Sequence, residues 1–285
     1  MVKNIGKKDR QKSEKIIMAR LKRSELKRIK NIAESEKSNQ EENSGQILNV
    51  KWTLRDVIFS VLFLIVILVG IYFGIAWILS ILKISDKINS ANITSLSFSV
   101  LYGIQVFLMV GVVWFFAIFW RRSKLRDLGF RYYSIIKTIW YSLLALVLIL
   151  AINFSYVMLM TKVFNISPPE SKIEELVNNK NISSIMLLVV VSLIAPICEE
   201  IYFRGFLFQG VKKSWGVFAG IFISSILFAA AHLDLYNFLP LLAIGWILAY
   251  IFHKTKSLIP VIFLHAIYNL LMILVLFSQF NSFNL

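Results

Sequence analysis

Six side chains that ionise or donate strong hydrogen bonds stand inside apolar sequence in the last third of the chain. The first run reads Ala195-Pro-Ile-Cys-Glu199-Glu200-Ile-Tyr-Phe-Arg204, the second Phe228-Ala-Ala-Ala-His232, the third His265-Ala-Ile-Tyr-Asn269. Charged groups in such surroundings cost several kcal/mol unless paired or hydrated, so each is a functional candidate. On a helix, adjacent residues point about 100° apart, so Glu199 and Glu200 do not face one cavity in the same way. Glu200 and Arg204 have the i, i+4 spacing with Glu on the N-terminal side, the favoured order for a helix ion pair. Glu199 then lies outside that pair, because two carboxylates face one guanidinium in this segment. A carboxylate and two histidines in one bundle can take up and return protons, which serves either the activation of water or a proton relay. They could equally tie helices together by hydrogen bonds. His253, beside Lys254 and Lys256, reads as a surface residue. The lone cysteine, Cys198, excludes an intrachain disulfide framework and a cysteine-based zinc cluster.

These residues need apolar helices to hold them, and the composition supplies them. Of 285 residues, 58% are hydrophobic and 16% charged, against roughly 45–50% and about 25% in soluble domains. The chain is too apolar to cover a water-facing surface, which excludes a soluble enzyme, a collagen-like fibre and a disordered chain. A helix needs about 20 apolar residues to cross a ~30 Å hydrocarbon layer. Runs of that kind are expected at Asp56–Leu82, Leu96–Trp120, Ile135–Met160, Ile182–Val211, Trp215–His232, Phe238–Phe252 and Leu258–Phe277. The expected fold is an all-α polytopic membrane protein with about seven transmembrane helices and a C-terminal four-helix bundle that carries every candidate residue. The sixth run is short, which suggests tilt or shielding by neighbours. Thr161–Asn181, with Pro168-Pro169 and several Asn, reads as an exposed connector. The organisation predicted is a basic tail over 1–51, accessory helices and a connecting loop over 52–181, and a bundle that carries the candidate residues over 182–285.

Direction follows from Lys and Arg in short connections. Residues 1–30 carry twelve Lys or Arg against Asp9, Glu14 and Glu25. Arg121, Arg122, Lys124, Arg126, Arg131 and Lys137 follow the second run, Lys212 and Lys213 the fourth, Lys254 and Lys256 the sixth. With seven crossings all of them fall on one side, so the N-terminus is expected in the cytoplasm and the C-terminus outside. No signal peptide is expected, because the first long apolar run begins after Arg55 and has no small-residue cleavage site. The basic tail is expected to meet anionic lipid rather than nucleic acid, and Met18, Leu21, Ile29 and Ile32 give it a weak amphipathic stripe.

Taken together and in order, the three motifs resemble the CPBP family of CAAX-type prenyl proteases and bacteriocin-processing or Abi membrane proteins. Its pattern, Glu-Glu-x-x-x-Arg, Phe-x-x-x-His and His-x-x-x-Asn, is kept at every position from Glu199 to Asn269. The resemblance covers residues 184–277 and implies an intramembrane endopeptidase of a multi-pass protein in a bacterial plasma membrane. Its substrate would be a membrane-associated protein or peptide precursor. Carried over residue by residue, it implies Glu199 as general base and His232 as the group that positions or polarises water. It implies His265 and Asn269 as oxyanion donors, Glu200 and Arg204 as a brace, and Phe228 as a packing residue beside the site. Glu199, His232 and His265 could also hold zinc with an open position. No His-Glu-x-x-His is present and His265 is explicable as a donor, so a metal-free mechanism is favoured. A non-catalytic immunity or scaffold protein that binds a peptide in the same cavity is the alternative. A transporter fits less well, because the polar residues occupy one half only.

Overall fold

A computed structural model describes residues 48–81, 103–169 and 184–280, together with Glu25, Lys27, Arg28 and Glu174. The expectations placed on the basic tail, on the start of the second run before Gly103 and on most of the Thr161–Asn181 loop lie outside the described residues. Residues 48–285 form one compact unit.

Every regular element among the described residues is helical, and six helices are long and apolar enough to cross a membrane. The chain is an integral, multi-pass membrane protein. Helix α1 is Leu54–Ile81, α2 is Gly103–Trp120 and α3 is Ile135–Lys162. A 48-residue helical stretch, Ser184–Ala231, comes next, then α6 (Phe238–Thr255) and α7 (Leu258–Phe280).

The long stretch is a hairpin. In a straight helix Phe208 and Gly220 would lie about 18 Å apart at 1.5 Å per residue, yet a Cβ on Gly220 would stand 3.1 Å from the Phe208 ring. Further from the bend, the rings of Phe203 and Phe228 are 5.3 Å apart. The chain reverses at Gly216, whose φ of 86° and ψ of 175° are closed to residues with a Cβ. No atom lies within 4 Å of a Cβ built on Gly216, so the demand for glycine is conformational, not steric. The arms, α4 (residues 184–215) and α5 (residues 217–231), correspond to the fourth and fifth expected runs.

Burial separates the helices by role. Half of the apolar window of the hairpin is buried, against 11% in α1 and α3. Phe59, Phe73 and Trp77 of α1 and Trp140 and Phe154 of α3 are exposed, as side chains facing lipid would be. The core is aromatic and centred on α4, with Phe203 packed against Phe228 of α5, Phe206 against Trp52 and Phe208 against Phe252 of α6.

The basic connections meet at one end of this unit. Arg121, after α2, forms a two-pronged ion pair with the buried Asp56 at the start of α1. Gln209 Nε2 donates to the Asp127 carbonyl, Lys213 Nζ to the Val50 carbonyl, and the Leu258 N–H to the Gly129 carbonyl. At the opposite end, Tyr156 of α3 donates to the Tyr236 carbonyl, just beyond His232.

The bend generates a prediction. Gly216→Ala should lower unfolding stability in detergent by about 1–3 kcal/mol, the range for a residue forced into a sparsely populated region. Gly74→Ala, in an open stretch of α1, should be neutral. Thermal unfolding of the purified variants checks both.

Candidate active site

The site begins with a proline. Pro196 withholds an N–H from the middle of α4, and the helix widens just before it: Val190–Ile194 is a π-helical turn in which the Ala195 N–H bonds the Val190 carbonyl. The next carbonyl, that of Val191, would find its partner five residues on, at Pro196, which has no N–H to give. Asn269 Nδ2 of α7 donates to it instead, at 2.9 Å. The turn that presents Glu199 and Glu200 is thus fastened to α7 at a point the proline left open. A second π-helical stretch, Ile201–Phe208, follows directly, and such widened turns recur at functional sites.

Both carboxylates are buried, as are Arg204 and His265. Arg204 Nη1 donates to Glu200 Oε1 at 2.8 Å, the pair the spacing predicts, and Nη2 donates to the Gly245 carbonyl of α6 at 3.1 Å. The guanidinium lies 4.4 Å from the centroid of the Phe228 ring. Gly245 permits this approach: a Cβ there would stand 3.0 Å from the Ser225 backbone and 3.3 Å from Phe228. Sequence reasoning misses Gly245, since nothing local singles it out.

His265 reaches both acids. Its Nδ1 is 2.9 Å from Glu200 Oε1, and its Nε2 is 3.8 Å from Glu199 Oε2. A carboxylate held by a guanidinium accepts hydrogen bonds, so Nδ1 carries the proton it shares with Glu200 and Nε2 is turned toward Glu199. The side chains of adjacent residues diverge, yet one imidazole meets both because its nitrogens lie on opposite sides of the ring. Two carboxylates and one guanidinium carry one net negative charge. One further proton on Glu199 or His265 makes the group neutral.

His232 stands at the end of α5, and its Nδ1 lies 2.8 Å from the Phe228 carbonyl of its own helix. The Phe228 ring lies between the histidines, 4.8 Å from His232 and 5.6 Å from His265 by centroids. Phe228 therefore touches Arg204, His232 and His265. Glu199, Glu200, Arg204 and His265 form one polar cluster; His232 and Asn269 flank it. An apolar cleft of about 270 Å³ opens beside it between α4 and α7, lined by Leu188, Phe263, Ile267 and Leu270 with Ser192 as its polar group.

Among the described residues no three His, Cys, Asp or Glu side chains stand together so as to hold a metal ion. In the set named from sequence both histidines engage Nδ1, with Glu200 and with the Phe228 carbonyl, which leaves Nε2 of each as its ligand atom.

Helices outside the motifs also hold the site. Asn153 of α3 donates to the Tyr268 hydroxyl, next to Asn269, at 2.7 Å. The buried Trp52 indole donates to the Phe206 carbonyl in the second π stretch at 2.8 Å. Neither contact is marked in the sequence, since each is one polar atom in apolar surroundings.

Residues 181–271, which contain all six polar residues, match the family model described as type II CAAX prenyl endopeptidase Rce1-like. This match agrees with the CPBP resemblance of the three motifs. The segment is also similar to curated proteins. A Bacillus subtilis (strain 168) protein named "Putative membrane peptidase YdiL" is 33% identical over 84 residues, 30% of this chain and 34% of that protein. An uncharacterized protein of Mycoplasma capricolum is 30% identical over 104 residues, 35% of this chain and 30% of its own length. The chain thus spans about a third of the length of these relatives. No solved structure matches it.

The cluster predicts how this segment responds to losing its one guanidinium. Arg204→Met should destabilise the protein by about 3–5 kcal/mol, because Glu200 is left buried and uncompensated. The double variant Arg204→Met/Glu200→Met should recover much of that loss. A double-mutant cycle on thermal unfolding in detergent measures the difference.

Proposed function

We propose that residues 182–285 form the catalytic bundle of an intramembrane endopeptidase that hydrolyses a peptide bond of a membrane-associated protein or peptide precursor. The observation that carries this reading is the buried imidazole of His265 between two carboxylates, one of which, Glu200, is bonded by Arg204. That arrangement supports a division of labour: Glu200 belongs to the brace, and Glu199 is the base.

In this reading Glu199 takes a proton from a confined water, and the water oxygen bonds to the scissile carbonyl carbon. The proton is held between Glu199 and His265 Nε2, where it brings the cluster to neutrality. Negative charge develops on the former carbonyl oxygen. Asn269 has a second N–H beyond the one given to Val191 and supplies it to that charge, while His232, whose Nδ1–H is given to the Phe228 carbonyl, positions the water through Nε2. When the tetrahedral intermediate collapses, the C–N bond breaks and the departing amine takes the stored proton. His265 then acts mainly on Glu199, a narrower part than the oxyanion donor implied by the resemblance. No step is routed through a metal. Helices α1–α3 are accessory, supporting the site through contacts such as those of Trp52 and Asn153. The basic tail is proposed to meet anionic lipid.

The bacterial relatives support a plasma-membrane location. The distribution of Lys and Arg supports a cytoplasmic N-terminus, and the meeting of the basic connections at one end agrees with it. Reporter fusions after Met160 and after Lys213 should fall on opposite sides of the membrane. Finding both on one side would overturn the orientation.

Turnover by the purified full-length protein, on a panel of prenylated and leader-type membrane peptides, tests the activity. Glu199→Ala and His232→Ala should abolish cleavage with membrane insertion intact, whereas removal of residues 1–45 should leave it largely unchanged. Asn269→Ala should lower kcat by about 10²–10³, the usual effect of losing an oxyanion donor, with little change in KM. Asn269→Asp should do no better, since its carboxylate would face both the Val191 carbonyl and the oxyanion. Peptide binding without cleavage would favour a scaffold or immunity role. An active Asn269→Asp enzyme with zinc-reversible chelator inhibition would overturn the metal-free mechanism.

A further inference from the structure

The basic end of the bundle holds a second cluster that hydrolysis does not use. Lys256 ends α6 in the left-handed region, with φ 55° and ψ 19°, a conformation that favours Gly or Asn at this position. Its ammonium is turned inward: Nζ donates to the His253 carbonyl and lies 3.1 Å from His253 Nδ1. The His253 ring is 6.3 Å from that of Phe208, and Lys212 Nζ is 5.8 Å from the same Phe208 ring. Lys212, from the hairpin bend, and Lys256, from the α6–α7 turn, are thereby brought together, Lys212 over the Phe208 ring and Lys256 on the His253 ring beside it. Arg131 is brought to the same turn by Ser257, whose hydroxyl donates to the Arg131 carbonyl at 2.7 Å.

We propose that Lys212, Lys256 and Arg131 form a binding site for the phosphate group of an anionic ligand. A topological signal needs basic residues in these connections; it does not need them gathered from three separate segments onto one half-buried spot. Like charges so placed repel one another, and an anion between them removes the repulsion. The Lys256 ammonium is pushed down to about 8, first by burial and then by the cations Lys212, Lys254 and Arg131. Among the described residues no carboxylate is one of the groups acting on it. Depth selects the class of ligand. Tyr132, Trp215 and Tyr250, close in sequence to the cluster's members, are all exposed, and exposed Trp and Tyr mark headgroup level in membrane proteins. Lipid phosphates stand at that level and free phosphates reach it from the water, so the shared chemistry is a phosphate with several open oxygens.

The site stands independently of the proteolytic reading and is tested without an activity assay. The full-length protein in detergent is unfolded thermally with added phosphatidylglycerol, phosphatidylcholine or inorganic phosphate. Phosphatidylglycerol should raise Tm by about 3–5 °C over phosphatidylcholine, as a ligand specific to the folded state does. Lys212→Gln and Lys256→Gly should lose that rise. Lys256→Gly should otherwise fold at least as well as the wild type, because glycine relieves the left-handed strain. Lys124→Gln, which removes an exposed cation from the α2–α3 connection, should keep it. An equal rise with millimolar inorganic phosphate identifies free phosphate as a sufficient ligand; a rise with lipid alone identifies the headgroup. No anion-dependent rise, an undiminished rise in Lys256→Gly, or a loss as large in Lys124→Gln would overturn the site.

Discussion

Among the described residues, a single guanidinium is the strong cation bonded to the carboxylates in the buried centre of this bundle, and much of the architecture answers to that. Arg204 cannot serve both acids by itself. It is committed to Glu200 and to the Gly245 carbonyl, with its face on Phe228. The remaining acid is met by an imidazole that is itself held by Glu200. The participants come from four helices, with Glu199, Glu200 and Arg204 on α4, Phe228 on α5, Gly245 on α6 and His265 on α7, so the cluster also fixes how these helices pack. Gly245 lacks a side chain because α6 must approach α5 closely enough for its carbonyl to reach Arg204.

The backbone of α4 is as specialised as its side chains. Pro196 and the widened turn before it leave a carbonyl that the helix cannot satisfy, and α7 satisfies it through Asn269. A buried carbonyl without a donor costs roughly 1–3 kcal/mol, so this contact has structural value whatever else Asn269 does. The second π stretch is treated in the same way, with Trp52 reaching the Phe206 carbonyl and Gln209 Nε2 the Gly205 carbonyl. Irregular backbone at membrane depth is tolerated where protein covers it. Here the cover comes partly from outside the three motifs. The accessory helices and the segment leading into them therefore have a physical role, which is to hold a helix whose own hydrogen bonding is incomplete.

Polar groups are also segregated along the bundle. The acid–imidazole cluster packs against aromatic rings, whereas the lysines and arginines of the connections after α2, α4 and α6 collect at one end, around the Asp56–Arg121 pair and the Phe208–His253 contact. Negative charge inside and positive charge at the rim are kept apart by the length of the arms. Chemistry and anchorage can therefore be changed separately, which a mixed arrangement would not allow.

The sequence by itself determined the helical class, the identity of the polar residues and the Glu200–Arg204 pair, because composition, periodicity and i, i+4 geometry are local properties of a chain. It also separated the fourth and fifth runs, although the bend falls at Gly216, just inside the expected fifth run. Only the tertiary structure decided the rest. That one imidazole meets both carboxylates depends on the placement of α7 against α4, 65 residues away for Glu200. That Asn269 answers a carbonyl opened by Pro196 spans 78 residues. Gly245 and Trp52 contribute a backbone carbonyl and a single N–H, atoms that almost every residue or any tryptophan carries, so residue type does not announce them. Periodicity shows which face of a helix is apolar; it does not show which neighbour that face will meet, because packing between helices is set by the shapes of both.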